Sequence, residues 1–265
     1  MKNIVGTART VVLVLMLLTV AGVASANESK ASHHVLTWSS VHADSDVNLS
    51  WQRALVYYKD NFFPRSPSTA KIDNKLPVVV YMHGCTGITD HDIQWARFLA
   101  KNGYAVIMPD SFKRKGRVSV CDPRNTNWNI SVFPQVDVYR LEEIYFALEN
   151  AQFLEWADKD RLYLMGHSEG GYAATRFAGS GFKGIIISGR QCGRNNRKRL
   201  FVMDTIPVLN LLFTKDPWYL NTWWEGSCRL HRNDVEEVVI DGVGHDTYYI
   251  EAMRDKVLEF LDKHR

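Results

Sequence analysis

Between Leu76 and Phe260 the chain alternates short, continuous apolar runs with stretches of helical period. That alternation restricts the fold more than any other feature of its 265 residues. Leu76 to Met82 is an unbroken apolar run, the pattern of a strand buried on both faces. Tyr104 to Met108, Arg161 to Met165, Phe182 to Ser188, Pro207 to Phe213 and Glu236 to Ile240 read as further strands. Between them, Asp92 to Lys101 places Ile93, Ala96 and Ala100 on one helical face and stops at Asn102-Gly103. Val138, Leu141, Ile144, Tyr145 and Leu148 form the apolar face expected of a longer helix, Gly170 to Ala178 reads as a helix of small residues, and Ile250, Met253, Val257 and Phe260 mark a closing helix. Strands alternating with helices require crossovers. The expected fold is therefore α/β, a mostly parallel, doubly wound central sheet covered by helices on both faces.

The N-terminus follows a different logic. Lys2 and Arg9 precede an apolar core from Val11 to Val23 and the small residues Ala24-Ser25-Ala26, the layout of a cleavable secretory signal peptide. The expected organisation is a signal peptide over 1–26, an irregular lead-in over 27–50 and one domain over 51–265, with an early strand or hairpin between Trp51 and Phe63. Removing 26 residues from 265 leaves 239, and losing Lys2 and Arg9 takes the formal net charge from +3 to +1. That balance gives no argument for nucleic acid as a partner. No segment after Ala26 is apolar enough to span a bilayer. Export would carry Cys85, Cys121, Cys192 and Cys228 into an oxidising periplasmic or extracellular space, where an even number favours two disulfides, and three connectivities are open. No CxxC spacing occurs, so no metal site is expected.

In an open, mostly parallel sheet the chemistry sits in loops at the carboxyl ends of strands. The Arg161–Met165 strand runs into Gly166-His167-Ser168-Glu169-Gly170-Gly171 and then a helix. Gly166 and Gly170 leave room for a strained turn that exposes Ser168, and Gly171 allows close helix packing. A serine hydroxyl needs a base oriented by an acid. His245, in Gly242-Val243-Gly244-His245-Asp246 after the last strand, is the expected base. His91, at the start of a helix, reads as solvated or capping, and His83 and His167 are accounted for by their turns. Asp216, after the Pro207–Phe213 strand and stiffened by Pro217, is the expected acid, with Asp241, Asp246 and Glu225 as weaker rivals. The oxyanion would take backbone N–H groups from Glu169 and from Cys85 in His83-Gly84-Cys85-Thr86-Gly87, where Gly84 would permit close backbone approach.

Tyr81-Met82-His83-Gly84-Cys85-Thr86-Gly87, Gly103 to Phe112, and Met165 to Gly171, followed by Asp216 and His245, together resemble the dienelactone hydrolase-like branch of the α/β-hydrolase superfamily over Trp51 to Arg265. The resemblance implies hydrolysis without a cofactor. The founding members use a cysteine nucleophile, and Ser168 in that place points to general ester chemistry on a small-molecule ester or lactone. The superfamily's strand order implies a Cys192–Cys228 bridge across the loop holding Asp216, and a Cys85–Cys121 bridge beside it. A prolyl-oligopeptidase-like peptidase and a non-catalytic binding protein on the same fold are the alternative readings.

Two features bear on the substrate. Lys113-Arg114-Lys115-Gly116-Arg117, and Arg190 with Arg194, Arg197, Lys198 and Arg199, fall in loops expected on the catalytic face. They read either as a solvated rim or as an attractor for an anionic substrate. Trp218, Tyr219, Trp223 and Trp224 follow Asp216 and read either as an aromatic lid or as loop packing.

Overall fold

The computed structural model describes residues 46–61, 63–121, 133–192, 199–219 and 226–265. The expected signal peptide lies outside these residues, as does the lead-in up to residue 45. The described elements, in chain order, are α1 (Val47–Gln52), β1 (Leu55–Tyr57), β2 (Leu76–Met82), α2 (Asp90–Lys101), β3 (Ala105–Met108), α3 (Phe133–Ala151), β4 (Ala157–His167), α4 (Glu169–Arg176), β5 (Gly184–Ser188), β6 (Val208–Lys215), β7 (Glu236–Val243) and α5 (Glu251–Lys263).

Seven strands form one sheet in the order β1-β3-β2-β4-β5-β6-β7. β1 pairs antiparallel with β3, Leu55 opposite Met108, and every other pair is parallel. The continuous apolar runs are explained by two cores on opposite faces. Val78, Val80 and Met82 of β2 point to one core with Ile144 of α3 and Phe177 beyond α4, while Val79 and Tyr81 point to the other with Trp95 of α2 and Phe260 of α5. A side chain every second residue on each face leaves no solvent-facing position for a polar residue.

Three local expectations change. Helix α2 starts at Asp90 rather than Asp92, because Thr89 is its N-cap: the Thr89 N–H and hydroxyl both donate to Asp92 Oδ2 at 2.7 Å. Trp51 lies in helix α1, which begins within the expected lead-in, and the early β segment is only Leu55–Tyr57, bridged by Val56 to Arg65. Helix α3 buries its expected apolar face only in part: Ile144 is buried and Tyr145 and Leu148 pack against the core. Val138 is 53% exposed, and the inward face carries Val136, Arg140, Glu143, Ile144 and Ala147. Arg140 and Glu143 are buried together because they pair, Nη1 to Oε2 at 2.8 Å.

Parallel pairing puts the loops after β2, β4, β5, β6 and β7 on one edge of the sheet. These are the loops of Cys85, Ser168, Cys192, Asp216 and His245.

Candidate active site

Strand β4 ends at His167, helix α4 begins at Glu169, and Ser168 between them holds φ 55° and ψ −111°. This is a left-handed state that a non-glycine residue adopts only under constraint. The constraint is visible on both sides. Ser168 N–H donates to Ser188 O on β5, and Ser168 O accepts from Tyr172 N–H, each at 2.9 Å. A Cβ on Gly170 would lie 2.0 Å from Met82 O, and one on Gly166 would lie 2.2 Å from Gly170 O. The turn closes only with glycine at both positions. Gly84 differs from the expectation: a Cβ there would meet Ser168 Cβ at 3.5 Å, an ordinary contact, so close backbone approach does not demand glycine at that position.

Ser168 lines a cavity of about 690 Å³ together with Cys85, His91, His167, Trp218 and His245. His245 Nδ1 and Asp216 Oδ2 are 2.7 Å apart. The second oxygen, Oδ1, accepts from Trp218 N–H at 2.9 Å, and Asp216 is 5% exposed. A buried carboxylate holding the Nδ1 proton leaves the Nε2 lone pair of the imidazole available as a base. The ring is flanked by His167 at 4.8 Å and Trp218 at 5.8 Å between centroids. Of the rival acids, Asp241 accepts from Thr214 Oγ1 at 2.8 Å and Asp246 lies 3.5 Å from His167 Nε2, while Glu225 lies outside the described residues.

The N–H of Glu169 is the first of α4 and so has no acceptor within its own helix. Cys85 lies within the turn closed by Gly87 N–H on Gly84 O at 3.3 Å. Cys85 is bonded to Cys121 and Cys192 to Cys228, the two bridges that the resemblance implies.

Two histidines beside the site, His83 and His167, are held neutral. Burial pushes His83 down to about 3, with the Arg140 guanidinium adding to the shift, and burial pushes His167 down to about 4. His83 Nδ1 donates to Gly84 O at 2.7 Å and Nε2 accepts from Ser111 N–H at 3.1 Å, a pattern only the neutral ring can make. His91 is 3% exposed rather than solvated, packed on His167 at 4.1 Å between ring centroids, because Thr89 and Asp92 already cap its helix.

His91, His167 and Asp246 bring three potential metal-ligand atoms within 4.8 Å of one another. The set fits a metal poorly. His91 Nε2 already accepts Tyr248 N–H at 3.3 Å and its Nδ1 faces Asp92 at 3.7 Å, while His167 Nδ1 is hydrogen-bonded to Ser188 Oγ at 3.0 Å, so the ring nitrogens are already engaged within the protein.

Charge is arranged differently from the expectation. Arg114 and Arg117 do not form a solvated rim or an open anion site, being 5% and 8% exposed. Arg114 pairs with Asp46 and Glu142, each at 2.6 Å, and Arg117 pairs with Glu169. Burial of an arginine demands such partners. Lys113 and Lys115 stay exposed. Arg190 stacks over Tyr172 at 4.6 Å and Tyr219 at 5.6 Å, while Arg194, Arg197 and Lys198 lie outside the described residues. The described cavity wall carries Asp90, Asp92 and Asp246 and no lysine or arginine. Trp218 lines the cavity, whereas the Tyr219 hydroxyl is tied to Gly189 O at 3.0 Å. Trp223 and Trp224 lie outside the described residues.

Sequence reading missed the pairing of Glu169 with Arg117. The available signal was a carboxylate placed between a strained serine and a glycine pair, where close packing leaves a charge little contact with water.

The chain matches the family model of the dienelactone hydrolase family over residues 66–187, a range that holds Cys85, Ser168 and Glu169 and stops before Asp216 and His245. No curated protein matches the chain in sequence. Among solved structures it is similar to TT1662 of Thermus thermophilus, with TM-score 0.56 and 18% identity over 81% of this chain and 94% of that one. It is similar to a dienelactone hydrolase-like promiscuous phosphotriesterase from metagenomic libraries, with TM-score 0.55 and 16% identity over 80% and 97%. Est1E from Butyrivibrio proteoclasticus, with ferulic acid bound, gives TM-score 0.54 and 15% identity over 80% and 94%. At such identities these likenesses speak for the fold: the chain has the α/β-hydrolase fold, and its residues 66–187 are similar to the dienelactone hydrolase family.

Proposed function

We propose that the protein is an exported serine hydrolase that cleaves a small carboxylic ester or lactone through an acyl-enzyme. The observation that carries the reading is the 2.7 Å contact between Asp216 and His245, whose ring lines the same cavity as Ser168. Ser168 Oγ attacks the carbonyl carbon while His245 Nε2 takes its proton. The developing oxyanion receives the N–H groups of Glu169 and Cys85, and His245 passes the proton to the leaving alcohol. Water, deprotonated by His245, then releases the acid. Asp216 keeps the Nδ1 proton in place and stabilises the imidazolium. Nothing in this sequence of steps calls for a cofactor.

The cavity wall, with carboxylates and no arginine or lysine among the described residues, favours an uncharged substrate over an anionic one. Trp218 and Tyr249 suit an apolar or aromatic group. Two disulfides favour an oxidising compartment and so support export. Among the described residues no helix is long and apolar enough to cross a membrane.

The test is fluorophosphonate labelling of the purified protein, with the adduct mapped by mass spectrometry and hydrolysis of an activated acetate ester followed in parallel. A single adduct on Ser168 is expected, with Ser168→Ala and His245→Ala each lowering kcat by at least about 10,000-fold. Folded protein that takes no label and turns over no ester would sink the reading in favour of a binding protein. Turnover of peptides above esters would favour the peptidase.

A further inference from the structure

The segment that follows β3 packs against the Ser168 turn, and its contacts reach both Glu169 in that turn and Cys85 in the loop after β2. Arg114 roots it on α3, donating to Glu142 Oε2 at 2.6 Å and to Tyr139 O at 3.0 Å, with its guanidinium 3.9 Å above the Tyr139 ring. Arg117 Nη2 then pairs with Glu169 Oε1, and its Nε donates to Ser111 Oγ at 3.0 Å. Farther on, the Ser119 hydroxyl donates to Cys85 O at 2.9 Å, and Cys121 is bonded to Cys85. Arg140 closes the arrangement from below, with Nη2 on His83 O at 2.7 Å and Nε 3.5 Å from Glu169 Oε1. The Arg117 and Arg140 side chains are 0% and 1% exposed, and Glu169 Oε2 is buried without a hydrogen bond. The Glu169 carboxylate is therefore oriented by these two guanidinium groups.

We propose that Arg114–Cys121 is a positioning strap for the oxyanion hole, with Arg117 fixing the peptide of Glu169 and Cys121 fixing that of Cys85. The inference rests on the assignment of those two N–H groups made above. One short segment tethers the two proposed donors, which come from different strands. Oxyanion donors must sit about 2.7–3.1 Å from the position the oxygen reaches, and losing one costs about 100- to 1,000-fold in kcat. Arg117 touches neither nucleophile nor base. It acts through Glu169 and is a positioning residue.

The experiment compares Arg117→Met, Arg117→Lys and the double variant Arg117→Met with Glu169→Gln. The double variant keeps the Glu169 amide and leaves no unpaired buried carboxylate, so it carries the test if Arg117→Met alone fails to fold. Ester kinetics and hydrogen exchange at residues 84–87 and 168–171 are measured on each. The expected result is kcat lower by about 10- to 100-fold in Arg117→Met and in the double variant, with KM within about twofold and partial recovery in Arg117→Lys. Exchange at both peptides should rise, including the Cys85 side that Arg117 does not touch directly. Folded variants with wild-type kcat, a loss confined to KM, or unchanged exchange at both peptides would overturn the strap. Wild-type protein without ester turnover would overturn the hydrolase reading instead, and exchange would then decide the strap by itself.

Discussion

Ser168 keeps its left-handed backbone because β5, α4 and two glycines leave it no other, and a state of this kind costs about 1–3 kcal/mol. The neighbouring histidines carry a second local cost, and it is tied to pH. His167 titrates at about 4 and His83 at about 3, both lowered chiefly by burial. In the unfolded chain the same rings titrate near about 6.5. Between those values the unfolded chain binds more protons than the fold, so stability rises with pH. The contribution is complete above about pH 6.5 and is lost as the pH falls through 4 for His167 and 3 for His83. Thermal unfolding followed from about pH 7.5 down to about pH 4 should therefore show Tm falling in the wild type and falling less steeply in His167→Gln. Parallel slopes in the two proteins would show that His167 is already charged in the fold.

At the scale of elements, the contact of α4 with β2 is the tightest consequence of the Ser168 turn. Gly170→Ala would drive a Cβ into Met82 O at 2.0 Å, an atom held by the sheet ladder, whereas Gly84→Ala meets nothing nearer than 3.5 Å. Overpacking of the first kind costs about 1–3 kcal/mol, and each 1 kcal/mol lowers Tm by roughly 2–4 °C in a domain of this size. Calorimetry should show Gly170→Ala melting several degrees below the wild type and Gly84→Ala within about a degree of it; equal melting of the two would show that α4 shifts freely on the sheet. The same elements show what was legible in the chain. Strand β2 has the bounds its apolar run suggests, Leu76–Met82, because both faces of the run are buried. The glycines around Ser168 were legible because strain and close packing admit few other residues. Helix α3 was misread at Val138 because its inward face carries Arg140 and Glu143. Hydrophobic period assigns charges to solvent, and only their three-dimensional partners show otherwise. His91 was misplaced for the same reason, since a polar residue at a helix start looks exposed until the neighbouring ring of His167 is in place.

Over the whole molecule, the two disulfides tie down loops on the same edge of the sheet but differ in access. Cys192 and Cys228 are both 0% exposed, one after β5 and one before β7, and they close the loop that holds Asp216. Cys85 and Cys121 line the open cavity beside Ser168, and Cys85 is partly exposed. Thiol–disulfide exchange begins with attack of a thiolate on a sulfur, so the rate follows access when the reductant is the same. A dithiol such as dithiothreitol would attack the Cys85–Cys121 bond first, leaving two protein thiols and a cyclic disulfide of the reagent. Alkylation and mass mapping under mild reduction, without denaturant, should label Cys85 and Cys121 well before Cys192 and Cys228. Ester turnover should fall with the first pair, since the proposed Cys85 donor loses its covalent tether. Stability should fall mainly with the second pair, by about 2–4 kcal/mol as is usual for a bridge of this loop length. Labelling of all four cysteines together would mean that reduction proceeds through global unfolding, and the two loops would then form one cooperative unit. Turnover that persists after Cys85 and Cys121 are labelled would show that backbone packing alone holds that donor in place.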